Sequence, residues 1–201
     1  MQKKLAMLTV IFLGLVAWIG WLPLASAQSK PSATTRQQVE LFGIPLKNAS
    51  RSQLREALSQ AGIRPTRVED GYWVDIYDPK GILDEATELT VGYVGATNRF
   101  ASATYTFQSF MDIDQVRRVL KLVSTKYGAP SHQSGSYGLG QVQATWNLGD
   151  GIQLEVARGW PDTTTTLTYR DPKAYKQMQE EIDAQKEEKT KGRAKAQHKA
   201  F

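Results

Sequence analysis

The sequence predicts an α+β fold in which two tandem helix-plus-three-strand units pack their helices on antiparallel sheet, followed by a charged C-terminal helix. Three observations carry this prediction: an amphipathic helical stripe, alternating apolar runs directly after it, and a diverged upstream copy of the same order. Helical spacing indicates a helix, and alternation indicates a strand with one face on the core. We place the α+β domain at residues 39–172, with a pseudo-repeat of residues 39–110 and 111–172.

The helix of the second unit is the clearest element. Asp112 is placed to cap it, and Gln115 follows three residues later as in a capping box. Gly128 suits the left-handed conformation that ends many helices, and Pro130 prevents continuation. Between these signals runs one apolar stripe at helical spacing, made of Val116, Val119, Leu120, Val123 and Tyr127.

Three strands are predicted after this helix. They are residues 142–148, 152–156 and 165–169, in which apolar and polar residues alternate. Gly149, Asp150 and Gly151 supply the turn between the first two. The result is a meander against which the helix packs.

The first unit repeats this order. Ser50 and Gln53 again form a capping box, an apolar stripe follows, and Gly62 ends the helix. The predicted strands are residues 72–77, 89–93 and 101–107. Residues 39–46 are apolar enough to form either a short leading strand or a segment packed along the first helix. Aligning the two units pairs Trp73 with Trp146, Leu89-Thr90-Val91 with Leu154-Glu155-Val156, and Thr104-Tyr105 with Thr168-Tyr169.

The N-terminus predicts export. Lys3 and Lys4 precede an apolar run, and Ala25-Ser26-Ala27 has the small-residue pattern that signal peptidase cleaves. We predict a signal peptide at residues 1–27, cleavage after Ala27 and a periplasmic location. The alternatives are secretion, or an uncleaved signal anchor, because about 20 apolar residues are long enough to span a bilayer.

Composition excludes several classes of protein. The chain has no cysteine, so it has no lipidated cysteine, disulfide or thiolate metal site. Removing Lys3 and Lys4 lowers the net charge from +5 to +3, which is too small to indicate nucleic acid as a partner.

Two segments flank the predicted domain. Residues 28–38 are polar and aperiodic, which predicts a flexible linker. Residues 173–201 are rich in Lys, Glu, Gln and Ala, and only Tyr175, Met178 and Ile182 are spaced to dock on the domain. The tail is basic from Lys189 onward. It is interpreted either as a solvated helix that frays, or as a basic segment in weak contact with anionic lipid or an acidic partner.

No residue pattern predicts catalysis or metal binding. His132 falls in a loop rich in Ser and Gly, and His198 lies in the tail, whereas nucleophilic and zinc sites need a histidine held on a rigid element. The acids of residues 75–85 do not have the spacing of an EF-hand. Glycoside hydrolysis requires two acids facing each other across a cleft, and no sequence pattern places two acids together in this way. Four acids have no predicted local role: Asp75, Asp84, Glu88 and Asp162. We therefore predict no cofactor and no enzyme activity.

Aromatic residues are the candidate interaction sites. Trp160 lies in a predicted turn between two strands, where core packing does not require it. An exposed Trp in a loop is typical of a binding hot spot, but the ring can instead fold over the end of the sheet as a lid. Trp73 and Tyr77 lie on one predicted strand and are the further candidates, with core packing as the alternative.

Residues 115–155 resemble small exported proteins of the BamE-like (SmpA) and β-lactamase-inhibitory-protein type. The resemblance rests on Gln115-Val116, Tyr127-Gly128-Ala129-Pro130, Trp146 and Ile152-x-Leu154. The chain departs from the BamE-like pattern because it lacks the lipidated cysteine and has one helix per unit rather than two. Those families bind other proteins, so the resemblance implies an interaction role.

Taken together, these patterns predict an exported, non-catalytic envelope protein that binds or scaffolds a protein partner. The alternative is a module that binds a glycan or an amphiphile on an aromatic sheet face, and an envelope hydrolase ranks third. A flat exposed aromatic patch favours a protein partner, a concave aromatic pocket favours a ligand, and polar pairs converging in a deep cleft favour an enzyme.

Overall fold

The computed structural model describes residues 38–108, 112–139 and 141–198. The predicted signal peptide, and all of the predicted linker except Gln38, lie outside the described residues. The helices are α1 (Arg51–Gln60), α2 (Ile113–Tyr127) and α3 (Pro172–His198). The strands are β1 (Glu40–Leu41), β2 (Ile44–Pro45), β3 (Arg64–Arg67), β4 (Val74–Asp78), β5 (Glu88–Val94), β6 (Arg99–Phe107), β7 (His132–Gly135), β8 (Val142–Asn147), β9 (Gln153–Arg158) and β10 (Thr165–Arg170).

Eight strands form one antiparallel sheet in the order β3-β4-β5-β6-β10-β9-β8-β7. A helix followed by a meander therefore occurs twice, and the last strands of the two meanders, β6 and β10, meet at the centre of the sheet. Strands β1 and β2 form a separate hairpin ahead of α1. The predicted α+β class and the charged C-terminal helix are confirmed.

Each unit has four strands rather than the three that the sequence predicts. The additional strands, β3 and β7, are the two edges of the sheet. Strand β7 contains His132, which the sequence places in a loop, and all four of its residues are exposed. An edge strand has one neighbour and little contact with the core, so its residues need not alternate between apolar and polar.

Strand pairing also corrects part of the alignment between the units. Leu89 pairs with Tyr77 and Leu154 pairs with Trp146, so the structural counterpart of Trp146 is Tyr77. The sequence alignment instead matched Trp146 to Trp73, which precedes β4. Matching by residue type failed here because both units accept any large aromatic residue at the buried position.

The main core lies between the sheet and a layer made of α1, α2 and the β1–β2 hairpin. Ser50 forms the predicted capping box with Gln53, and Asp112 caps α2 by accepting a hydrogen bond from the Asp114 N–H. Gln115 does not complete a second capping box, because its side chain is buried and donates to the Gln108 carbonyl. The predicted stripe of α2 faces the core, with Val116, Val119, Leu120 and Val123 all buried.

Helix α3 packs on the opposite face of the sheet, against β5 and β6. Its buried contact is centred on Met178, with Ala174, Tyr175 and Ile182 packed around it, so the three apolar tail residues of the prediction do dock. From residue 183 to His198 the helix continues with every residue exposed. No helix among the described residues combines the length and the apolar character needed to cross a membrane.

Candidate functional site

The sheet face that carries α3 is only partly covered. Two cross-strand rows of side chains beside the α3 contact define what we call the open sheet face. One row runs Thr90, Thr104, Thr168, Glu155 and Thr145, and the other runs Glu88, Thr106, Thr166, Ala157 and Gln143. A third row at Gly92 and Ser102 lies under α3, where a Cβ on Gly92 would stand 3.0 Å from the Met178 sulfur.

The open sheet face is rich in hydroxyl groups and carries little charge. At the centre of the sheet the Thr104 and Thr168 hydroxyls are 3.1 Å apart and hydrogen-bonded, and these are equivalent residues of the two units. Gln143 donates a hydrogen bond of 2.7 Å to Glu155, while Glu88 is the second carboxylate. Because β-branched side chains have few rotamers, the threonines of this face have little conformational freedom to lose when a partner binds.

Trp160 lies in the turn between β9 and β10, at the end of the sheet away from α3. The side chain is 65% exposed, so it does not fold over the sheet as a lid. Asp162 accepts a hydrogen bond from the Thr164 N–H at 2.9 Å, and the buried Arg158 donates to the Thr163 carbonyl. Hydrogen bonds from the Thr164 side chain and N–H lower the pKa of Asp162. The turn is thus fixed by local bonds, and Trp160 projects from it.

The other two candidate aromatic residues do not join Trp160. Trp73 packs against α3 and donates its indole N–H to Glu181 at 2.9 Å. Tyr77 is 3% exposed and belongs to the core, so its side chain is not available to a partner. Burial raises its pKa to about 12, with a contribution from the charge of Asp75. Of the three residues, Trp160 is exposed, Trp73 is half-buried against α3 and Tyr77 is buried.

Asp75, an acid with no predicted role, lies in a buried charge cluster that the sequence analysis missed. Its carboxylate is fully buried and accepts hydrogen bonds of 2.6 and 3.2 Å from Arg51 and of 2.8 and 3.0 Å from Arg55. The Arg51 guanidinium also lies 4.9 Å from the centre of the Tyr93 ring. The signal available in the sequence was an acid at a core-facing position of an apolar strand, two residues before Tyr77.

The Asp75 cluster is suited to holding α1 on the sheet rather than to proton transfer. Burial alone raises the pKa of Asp75, but hydrogen bonds from Arg55 and Arg51 outweigh it and hold the pKa below its usual value. A general base working near neutral pH needs a pKa close to 7 and an oxygen free to accept a proton. Both oxygens of Asp75 are already occupied.

A concave surface, which we call the apolar groove, lies on the helix side of the sheet. It runs between α2, the β1–β2 hairpin and the loop after β4, with a volume of about 280 Å³. Ile82 and Leu122 on its rim are 45% and 51% exposed. Its wall and floor also include Phe42, Leu83, Tyr105, Lys126, Tyr127, Leu167 and Tyr169. No sequence pattern pointed to this groove, because its residues come from five separate segments.

No group of three or more His, Cys, Asp or Glu side chains in the described part of the chain could hold a metal ion. His132 is exposed on the edge strand β7, and His198 ends α3 in solvent. The remaining acids without a predicted role are also separated, since Asp84 follows β4 in an exposed loop and Glu88 begins β5.

Comparison with known proteins places the chain in no family. No family model matches it, and no curated protein matches it. A solved structure, the crystal structure of a DUF4309 family protein (YjgB) from Bacillus subtilis subsp. subtilis str. 168, is similar over 66% of this chain and 86% of its own. The identity is 11% and the TM-score 0.40. A likeness of this size supports no functional inference, and the resemblance to BamE-like proteins is not confirmed.

Proposed function

We propose that the protein is an exported, non-catalytic module that binds a protein partner in the cell envelope through Trp160 and the adjoining open sheet face. The observation that carries this proposal is the 65% exposure of Trp160 on a turn fixed by hydrogen bonds. The proposed location rests on the N-terminal residues, whose pattern is that of a cleaved signal peptide.

Exposure of Trp160 has a physical cost that binding would remove. A Trp side chain can bury 150–250 Å² of mainly apolar surface, and its transfer from water is favourable by about 25 cal/mol per Å². Trp is also among the residues most enriched in binding hot spots. A ring held by a structured turn loses little conformational entropy when a partner covers it.

The open sheet face supplies the polar part of such an interface. Its threonine hydroxyls and the Gln143 amide can donate or accept hydrogen bonds, while the carboxylates of Glu88 and Glu155 only accept. This chemistry favours a partner surface with hydrogen-bond donors and positive charge around an apolar pocket for Trp160.

Site-specific photo-crosslinking in the producing cells tests where a partner binds. We place a photoreactive amino acid at Thr166 or Gln143 on the open sheet face, and at Ile113 on α2 as a control on the other side of the sheet. The expected result is one crosslinked species of the same mass from both face positions and none from Ile113. Equal crosslinking from all three positions, or crosslinking from Ile113 alone, would contradict the proposal.

Substitution of Trp160 tests the hot spot directly. Because the ring packs little against the core, Trp160→Ala should leave the melting temperature within about one degree of the parent, yet reduce crosslinking at Thr166 at least tenfold. Tyr72→Ala is the matched control, since Tyr72 is the next most exposed aromatic among the described residues at 47%. A fall of several degrees, about 1–2 kcal/mol for a domain of this size, would show that Trp160 is structural instead.

A further inference from the structure

We propose that the apolar groove binds a single-chain amphiphile with an anionic headgroup, with the alkyl chain between α2 and the β1–β2 hairpin and the headgroup beside Lys126. This site lies on the opposite side of the sheet from the proposed protein-binding surface. The inference therefore does not depend on the proposed function.

The groove has the lining of a site for an alkyl chain. Leu122 from α2 and Ile82 from the loop after β4 stand on its rim, and Phe42 of the hairpin also lines it. Tyr105 and Tyr169, both buried, belong to the sheet floor. Ligand sites are mostly apolar concavities with a few polar groups at fixed places, and this groove has that form.

Its volume suits a single alkyl chain. The cavity of about 280 Å³ equals the volume of about nine waters in the liquid, and it lies near the lower limit of known ligand pockets. A single alkyl chain of medium length fits, and its burial would also remove the exposed surface of Ile82 and Leu122 from water.

The charge on the rim selects the headgroup. Among the lining residues Lys126 is the one cation, and it makes no ion pair with any described residue. Its ammonium lies 5.0 Å from the centre of the Tyr127 ring. Arg118, about two turns before Lys126 on α2, is already paired with Glu85 and Asp112. Lys126 is thus the cation left to receive an anion.

A single acid on the lining sets the orientation of the headgroup. Glu40 lies on β1, in the hairpin wall, and is exposed. Its charge repels an anionic headgroup from the hairpin side, whereas Lys126 attracts it to the α2 side. The shared ligand chemistry is an alkyl chain ending in a carboxylate or a phosphate, as in a free fatty acid or a lipid with one chain.

Calorimetric titration with two probes of equal chain length tests the inference. The purified protein is titrated at pH 8 with dodecanoate or with dodecyltrimethylammonium, each below the concentration at which it forms micelles. We expect one dodecanoate per protein, bound at least tenfold more tightly than the cationic probe. Equal affinities, or binding of many molecules with loss of the folded state, would overturn the proposal. A further titration with dodecyl phosphate shows whether the site prefers a phosphate or a carboxylate headgroup. Tighter binding of either anion than of the cationic probe supports the site.

Variants locate the binding to the groove. Lys126→Glu changes an exposed side chain and should reverse the preference, so that the cationic probe binds more tightly than dodecanoate. Leu122→Gln should weaken dodecanoate at least tenfold, while Ile113→Gln, a change at another exposed apolar residue of the same helix, should have no effect. Trp160→Ala should also leave dodecanoate binding unchanged. Unchanged affinity in Lys126→Glu and Leu122→Gln would place any binding elsewhere and refute the inference.

Discussion

Asp75 shows how one residue can hold an element in place. Its buried carboxylate accepts hydrogen bonds from the guanidinium groups of Arg51 and Arg55 on α1 and so holds that helix against β4. A buried ion pair gains little over well-packed apolar residues, but removal of one partner leaves the other charge unpaired away from water. The same carboxylate position in the second unit is occupied by Ala144, which pairs with Val156 as Asp75 pairs with Val91. The cluster therefore belongs to the first unit alone.

Loss of the Asp75 carboxylate should destabilise the folded protein. Asp75→Ala should lower the free energy of unfolding by about 3–5 kcal/mol, because it leaves the buried Arg51 without a counter-charge. Asp70→Ala is the matched control: Asp70 also pairs with Arg55, at 2.7 Å, but its side chain is 88% exposed. That change should cost about 0–1 kcal/mol. Urea unfolding measures the free energy of unfolding of the two variants. An equal loss of stability in both would contradict the structural role of Asp75.

The same residue predicts a dependence on pH. The pKa of Asp75 lies below its usual value in the folded protein, so the folded state favours the ionised form. Its contribution to stability is therefore present at neutral pH and is lost as the pH falls through the folded pKa. The difference in melting temperature between the parent and Asp75→Asn should thus shrink as the solution is acidified. A difference that stays constant down to the acid transition would show that the charge is not responsible.

At the scale of elements, α3 is attached to the sheet by one carboxylate as well as by apolar contact. Glu181 accepts hydrogen bonds from the Trp73 indole at 2.9 Å, from the Gly95 N–H at 2.6 Å and from the Ala96 N–H at 3.4 Å. These are donors from the segment before β4 and from the turn after β5. The last half of α3 lies beyond these contacts and carries no tertiary restraint among the described residues.

Substitution of Glu181 should release the docked part of α3. We expect Glu181→Ala to lower the free energy of unfolding by about 1–3 kcal/mol and to shift the fluorescence of Trp73 to the red, because hydrogen bonds to a charged acceptor are lost. The measurement uses protein that begins at Gln28, with Trp146 and Trp160 changed to Phe. Glu180→Ala is the control, since Glu180 is exposed and bonds only weakly to Lys176 at 3.8 Å. A red shift of the same size in the control would contradict the prediction.

The elements also differ in how well sequence predicts them. Helix α2 was predicted from its caps and stripe, because the residues that determine a helix lie within a few positions of one another. Edge strands β3 and β7 were not predicted, because their residues, such as Pro65 and Ser134, are exposed and do not alternate between apolar and polar. Whether a polar segment pairs as an edge strand depends on a neighbour distant in the fold.

At the scale of the whole molecule, the two units share one sheet and one core. Strands β6 and β10 pair along six residue positions, and the main core contains residues of both units, such as Leu89 and Leu154. Separation of the units would expose the edges of both central strands and the apolar floor of the core. The two units are therefore expected to unfold together.

Thermal unfolding tests this expectation. Fluorescence of Trp146, in the core of the second unit, and of Trp73, beside the first unit, should give one common midpoint that also matches far-UV circular dichroism. Leu167→Ala on the central strand β10 should lower the stability by about 2–5 kcal/mol, because it opens a cavity, while keeping the midpoints together. Midpoints several degrees apart would show that the units are independent.

Local sequence patterns were enough to predict the α+β class, the helix starts and ends, the inner strands and the repeated order, because each depends on neighbours within one element. They also placed Trp160 in a turn, although they left open whether the ring is exposed. The pairing of β6 with β10, the contact of Asp75 with α1, the burial of Tyr77 and the apolar groove became visible in the folded structure alone. Each of these joins residues far apart in the chain, and their proximity depends on how whole elements pair and pack rather than on any local pattern.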